Sequence, residues 1–166
     1  MESRRLRMNM SEQASPGTRF PPPVAFGAGL ASGFLLQHFL PVPLLEASKG
    51  NLLKLVGGIL VIAGVTLALW AILAFRRAHT TVRPDRPSVA LVTHGPFRFT
   101  RNPKYFSLSV VYTGIALLAN ALWPLLLLAP VLLVIRYYVI AREERYLLAR
   151  FGADYGSYRR RVRRWL

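Results

Sequence analysis

Two stretches of the chain concentrate side chains able to do chemistry. The first reads His94-Gly95-Pro96-Phe97-Arg98-Phe99-Thr100-Arg101-Asn102-Pro103-Lys104-Tyr105. A Gly-Pro turn leads through alternating aromatic and basic residues to Asn102-Pro103. Asparagine is a good N-cap, and proline suits the first helical position because that amide is unbonded anyway. The free amides and positive dipole end of such a helix start suit an anion. Arg98 and Arg101 add charge-assisted donors for a carboxylate or phosphate. The same residues would serve a loop that binds lipid headgroups, and both readings stand at this point.

The second stretch is Arg142-Glu143-Glu144-Arg145-Tyr146-Leu147-Leu148-Ala149-Arg150-Phe151-Gly152. On a helix, neighbours lie three and four positions away. Those of Glu143 are Val139, Ile140, Tyr146 and Leu147, and those of Glu144 are Ile140, Ala141, Leu147 and Leu148. Neither glutamate has a basic partner on its own helix, although bases are abundant nearby. Both are therefore expected to face the bundle and to find a cation elsewhere, in loop arginines or in a cationic ligand. Arg136 lies two turns before Glu143 within an apolar run, and an arginine inside a membrane segment is a functional candidate unless it snorkels to the interface. Arg136, Glu143 and Glu144 are the catalytic candidates.

The absence of cysteine excludes disulfides, thiolate metal sites and a cysteine nucleophile. His38, His79 and His94 show no metal-ligand spacing, so no metal site is expected. Charge and hydropathy then say what must hold the two stretches in place. The 166 residues are 53% hydrophobic yet carry 22 Lys and Arg against 7 Asp and Glu. A soluble nucleic-acid binder would spread its bases along amphipathic helices. Here they crowd between long apolar runs, the segregation that a bilayer imposes because charge at its centre is costly. Nucleic acid is not an expected partner.

Four apolar runs predict four transmembrane helices, at about 24–40, 52–75, 103–119 and 123–151. Residues 1–20 are expected to be a disordered basic segment, with 21–166 forming one membrane domain. The first run starts too late, behind Pro21-Pro22-Pro23, to read as a signal peptide. Gly29 and Gly33 put small residues on one helix face for close packing within the bundle; a homodimer would use the same face, with nothing further to support it. Asn120 marks a tight reversal, and Pro130 is expected to kink the last helix. Arginines precede the first run; the 76–104 loop carries seven basic residues; the tail from Arg142 has eight arginines. The other two loops hold only Lys49. Four spans put every basic segment on one side, which makes both ends cytoplasmic. The expected fold is an all-α polytopic membrane bundle.

These motifs resemble the integral-membrane methyltransferases that include isoprenylcysteine carboxyl methyltransferases and phospholipid (phosphatidylethanolamine) N-methyltransferases. That pattern runs Gly-Pro-aromatic, Arg-His-Pro-x-Tyr, a helical hairpin, Glu-Glu-x-x-Leu, then Phe-Gly-x-x-Tyr-x-x-Tyr. Gly95-Pro96-Phe97, Arg101-Asn102-Pro103-Lys104-Tyr105, Glu143-Glu144 with Leu147, and Phe151-Gly152 with Tyr155 and Tyr158 follow it in order over about residues 90–165. Asn102 stands where the pattern has histidine, as in bacterial members. The resemblance implies S-adenosyl-L-methionine as cofactor, bound by His94, Gly95, Arg98, Arg101, Asn102, Pro103 and Tyr105 and closed over by Glu143 and Glu144. It implies methyl transfer at the cytoplasmic face, in a bacterial inner membrane, to a lipophilic or prenylated substrate entering from among membrane lipids.

An isoprenylcysteine-like carboxylate acceptor would be guided by Arg136 or Arg98. A phosphatidylethanolamine amine would first lose a proton, to Glu143 or Glu144. A reading of another class is a non-catalytic multipass subunit or lipid-binding scaffold with a polybasic face. Membrane sterol reductases resemble the fold in their C-terminal portion but are much larger chains.

Overall fold

The computed structural model describes residues 21–46, 50–78 and 90–165. The expectation for residues 1–20, together with Lys49, His79, Arg83 and Arg86, lies outside the described residues. The rest is helical: α1 (Pro22–Phe39), α2 (Gly50–Arg77), α3 (Pro103–Leu118), α4 (Leu122–Val134) and α5 (Ala141–Arg161). A 3-10 turn, Gly95–Arg98, precedes α3, and a π-helical turn, Ile135–Ile140, joins α4 to α5. Among the described residues there is no β-strand.

Two helical runs are long and apolar enough to cross a membrane, Asn51–Arg77 and Leu122–Arg161. Prolines, glycines, Gln37 and His38 dilute the hydropathy of α1, and α3 has only 16 residues. α1 begins at Pro22, ahead of the expected Val24, because proline costs nothing in a first helical turn. Pro130 lies inside α4. Lacking an N–H, it leaves one α-helical bond unmade, and a second departure from α-helical bonding follows five residues later, in the π turn.

α3 is the central helix, packed against α2, α1 and α4. Its approach to α2 is backbone to backbone. A Cβ on Gly57 would stand 2.7 Å from the carbonyl oxygen of Gly114, and a Cβ on Gly114 would stand 2.7 Å from that of Gly57. Two turns along α2, Gly64 meets Ser107 and Val111 in the same way. Gly29 and Gly33 pack within the chain: Gly29 against Val131 and Tyr112, Gly33 against the backbone of Pro124. The opposite side of α2 exposes Leu52, Leu55, Ile59, Ile62, Leu69 and Leu73. Water would not tolerate so long an apolar stripe, whereas acyl chains would cover it.

The bundle has two unlike ends. At one, the α1–α2 and α3–α4 connections are tied together. Leu122 N–H donates to the Val42 carbonyl, and Asn120 Oδ1 accepts from the amides of Leu44 and Leu45, each at 3.0 Å. Asn120 Nδ2 donates to the Leu45 carbonyl, and Trp123 Nε1 donates to that of Leu40. Asn120 makes the reversal with φ of +49°, a left-handed conformation that asparagine tolerates better than most residues. The other end gathers the ends of α2 and α5, the start of α3 and the described basic residues from Arg76 onward.

Candidate active site

The site is built on the turn before α3. Gly95 has φ of +61°, and a Cβ there would lie 3.3 Å from Trp70 Nε1. The left-handed conformation favours glycine, and the approach to Trp70 leaves little room for a side chain. The turn buries Pro96 and Phe97, and Phe97 meets Phe75 of α2 edge-on at 5.0 Å between centroids. From the other side, the Tyr158 hydroxyl donates to the Phe97 carbonyl at 2.7 Å. Tyr158 and Tyr155 reach this cluster because helical conformation breaks at Gly152 (φ +49°, ψ −119°) before resuming to Arg161.

After Arg161 the chain doubles back across the start of α3. The Arg101 amide donates to the Arg163 carbonyl at 3.0 Å. Thr100 Oγ1 and Asn102 Nδ2 both donate to the Arg164 carbonyl, at 3.2 and 2.9 Å. Trp165 packs on the cluster containing Phe26, Tyr105 and Ile140. This corrects the expected role of Asn102. Its side chain does not cap α3 but holds the 162–165 strap, and its amide is taken by Thr100 Oγ1. Its carbonyl accepts from the amides of Tyr105 and Phe106, so few donors at this helix start remain for an anion.

The strap also brings a charge. Arg164 forks onto Glu144, with Nε to Oε1 at 3.1 Å and Nη2 to Oε2 at 2.6 Å. The carboxylate holds the Arg164 guanidinium above its usual pKa, while burial opposes this. Arg101 Nη1 lies 2.9 Å from Glu144 Oε1, with both side chains only 9% exposed. That is an ion pair without hydrogen-bond alignment, for Arg101 Nε and Nη1 are buried and have no hydrogen-bond partner. Alongside, the Tyr105 hydroxyl donates to Glu143 Oε1 at 2.5 Å, with Lys104 Nζ 3.7 Å from the same oxygen. Both glutamates have thus found protein cations off their own helix, as their spacing required.

The structure brings together Arg101, Asn102, Pro103, Tyr105, Glu143 and Glu144. His94 and Gly95 instead line a crevice of about 250 Å³ with Trp70, Leu73, Ala74 and Arg77. Arg98 is exposed on the 3-10 turn. Arg136 is exposed in the π turn, with its guanidinium 5.5 Å from the Tyr137 ring centroid. Neither contacts the two glutamates. The residues that sequence reasoning missed are Thr100, Arg164 and Trp165. Arg164 is 20 positions from Glu144 and sits in a run of arginines that reads as a basic tail, so no local spacing points to it.

The arrangement can hold an anion on the unspent donors of Arg101 and a cation, or a proton, on Glu143. A family model described as phospholipid methyltransferase matches residues 52–154, more than half of the chain. An uncharacterized protein of Haemophilus influenzae is 54% identical over 35 residues, or 21% of this chain. The chain spans 56% of that relative's length.

Proposed function

The chain belongs to the phospholipid methyltransferase family, and from this premise we propose that it is an integral-membrane, S-adenosyl-L-methionine-dependent methyltransferase acting on a lipophilic acceptor. The observation that carries the reading is Arg101. Its buried guanidinium is paired with Glu144, but Nε and Nη1 make no aligned hydrogen bond, and buried donors left so are costly unless a further anion completes them. The cofactor's carboxylate is such an anion, and Arg101 is the residue to hold it. Glu143 would face the ammonium or sulfonium charge, with Tyr105 orienting its carboxylate. Asn102 and Pro103 shape the floor, and His94, Gly95 and Trp70 line the adjoining crevice. When bound, the cofactor supplies a methyl group on a sulfonium leaving group. The protein's part is then alignment of the acceptor in line with it and exclusion of water, with little covalent help.

Four spans with both ends cytoplasmic, in a bacterial inner membrane, complete the proposal. Support comes from the basic residues gathered at one end of the bundle and the nearly uncharged, hydrogen-bonded loops at the other. The acceptor would enter sideways from the lipid. An isoprenylcysteine-like carboxylate asks for arginine guidance, which the exposed Arg98 and Arg136 could give by moving inward. A phosphatidylethanolamine amine asks for a base, for which Glu143 is the candidate, and the family's description supports this acceptor.

The test is calorimetry of the detergent-purified full chain with S-adenosylhomocysteine, followed by methyl transfer from labelled cofactor to extracted lipids and prenylcysteine analogues. Saturable binding and transfer to one acceptor class are expected. Folded protein that binds nothing would instead be a lipid-binding scaffold.

A further inference from the structure

Arg164 holds Glu144 with an aligned fork, whereas Arg101, at comparable range from the same carboxylate, has no aligned bond to it. A carboxylate and a guanidinium 2.9 Å apart need only a small rotation to form the parallel two-bond pair that both favour. Arg101 and Glu144 do not form it because the two oxygens are already directed at Arg164. We propose that Arg164 is a positioning residue: by claiming both oxygens of Glu144, it keeps the Nε and Nη1 donors of Arg101 out of an aligned bond to that carboxylate and so available to a ligand carboxylate.

The strap is built for this task. Its main chain is bonded to three consecutive residues centred on Arg101: Thr100 and Asn102 through the Arg164 carbonyl, and Arg101 itself through that of Arg163. Trp165 anchors its far end in the apolar cluster of Tyr105 and Ile140. The Arg164 guanidinium is therefore delivered from a fixed backbone, not from a loose basic tail. Its neighbours Arg159, Arg160, Arg161 and Arg163 are exposed. Arg164 also lies beyond the residues 52–154 matched by the family model. The proposal rests on the functional reading above only for the identity of the ligand.

The experiment compares the full chain, R164A and R164A/E144Q in detergent, by calorimetry with two ligands. S-adenosylhomocysteine carries the carboxylate; 5′-methylthioadenosine shares the nucleoside and sulfur but lacks the amino-acid group. In R164A, Glu144 should turn onto Arg101. Affinity for S-adenosylhomocysteine should then fall by about tenfold or more, with that for methylthioadenosine unchanged. Removing the competing charge in R164A/E144Q should restore most of the loss. A ligand-free readout accompanies these: the Arg101 Nε–H resonance should become protected from exchange in R164A. Equal loss for both ligands, tighter binding in R164A, or no recovery in the double variant would each overturn the proposal. If the wild type fails to bind S-adenosylhomocysteine, the functional reading falls. The exchange measurement then decides the Arg164 proposal by itself, unchanged protection overturning it.

Discussion

The two ends of the bundle solve the same problem, closing a set of helices, by opposite means. One end uses neutral hydrogen bonds. Asn120 alone satisfies two amides and a carbonyl of the facing loop, and Trp123 a further carbonyl. The other end uses ions, with Glu144 between Arg101 and Arg164 and Glu143 between Tyr105 and Lys104. Neutral bonds at a loop are complete once made. The ionic end is left incomplete: Arg101 is paired with Glu144, yet its buried Nε and Nη1 make no aligned hydrogen bond. Incomplete satisfaction of a buried charge is poor design for stability and good design for binding. On the function proposed above, the first end is structural and the second holds the ligand.

The sharpest way to break this contrast is Glu144→Ala. It leaves two guanidinium groups facing each other without their anion, and should destabilise the bundle by about 3 kcal/mol or more. Thermal unfolding in micelles would show the loss; a variant as stable as the wild type would mean that the ionic end is only a decorated surface. Next in size is Gly114→Leu, placed between the two ends. Its side chain would enter the backbone contact with Gly57, and a loss of about 2–3 kcal/mol is expected from forcing α2 and α3 apart. If the melting temperature does not move, the close approach is not what holds the central helix. The smallest effect belongs to Asn120→Gly, which keeps the left-handed turn but deletes three hydrogen bonds. A cost of about 1–2 kcal/mol is expected, with ligand affinity unchanged. Combined with Glu144→Ala, its destabilisation should add, as it does for sites far apart; coupling between them would show that the ends are not independent.

Much of the architecture was legible from hydropathy and proline positions, because a bilayer rewards long apolar helices whatever their partners. The pairing of small residues was only half read. Gly29 and Gly33 stood out at four-residue spacing, while Gly57 and Gly64, seven apart on one face of α2, serve the more extensive contact, that with α3. Asn102 shows the opposite failure. Its type and place before a proline fit an N-cap, yet a tertiary partner, the Arg164 carbonyl, claims its side chain. The π turn at Ile135–Ile140, five residues past Pro130, had no local signal in the sequence.

At the site, the residue types of 94–105 and the Glu143-Glu144 pair were plain from composition and helical spacing alone. The argument that both carboxylates need cations from outside their helix depended only on the identities three and four positions away. Which cations they take could not be read there. Arg101, Lys104 and Arg164 are all basic residues in basic segments, and nothing local separates a partner from a surface charge. That choice is made by the break at Gly152 and the return of residues 162–165 across α3, which set the Arg101 amide and the Arg163 carbonyl, 62 positions apart (163 − 101), within hydrogen-bonding distance. Local chemistry follows from side-chain type and period; the pairing of charges follows from where the chain turns, and only the folded structure decides that.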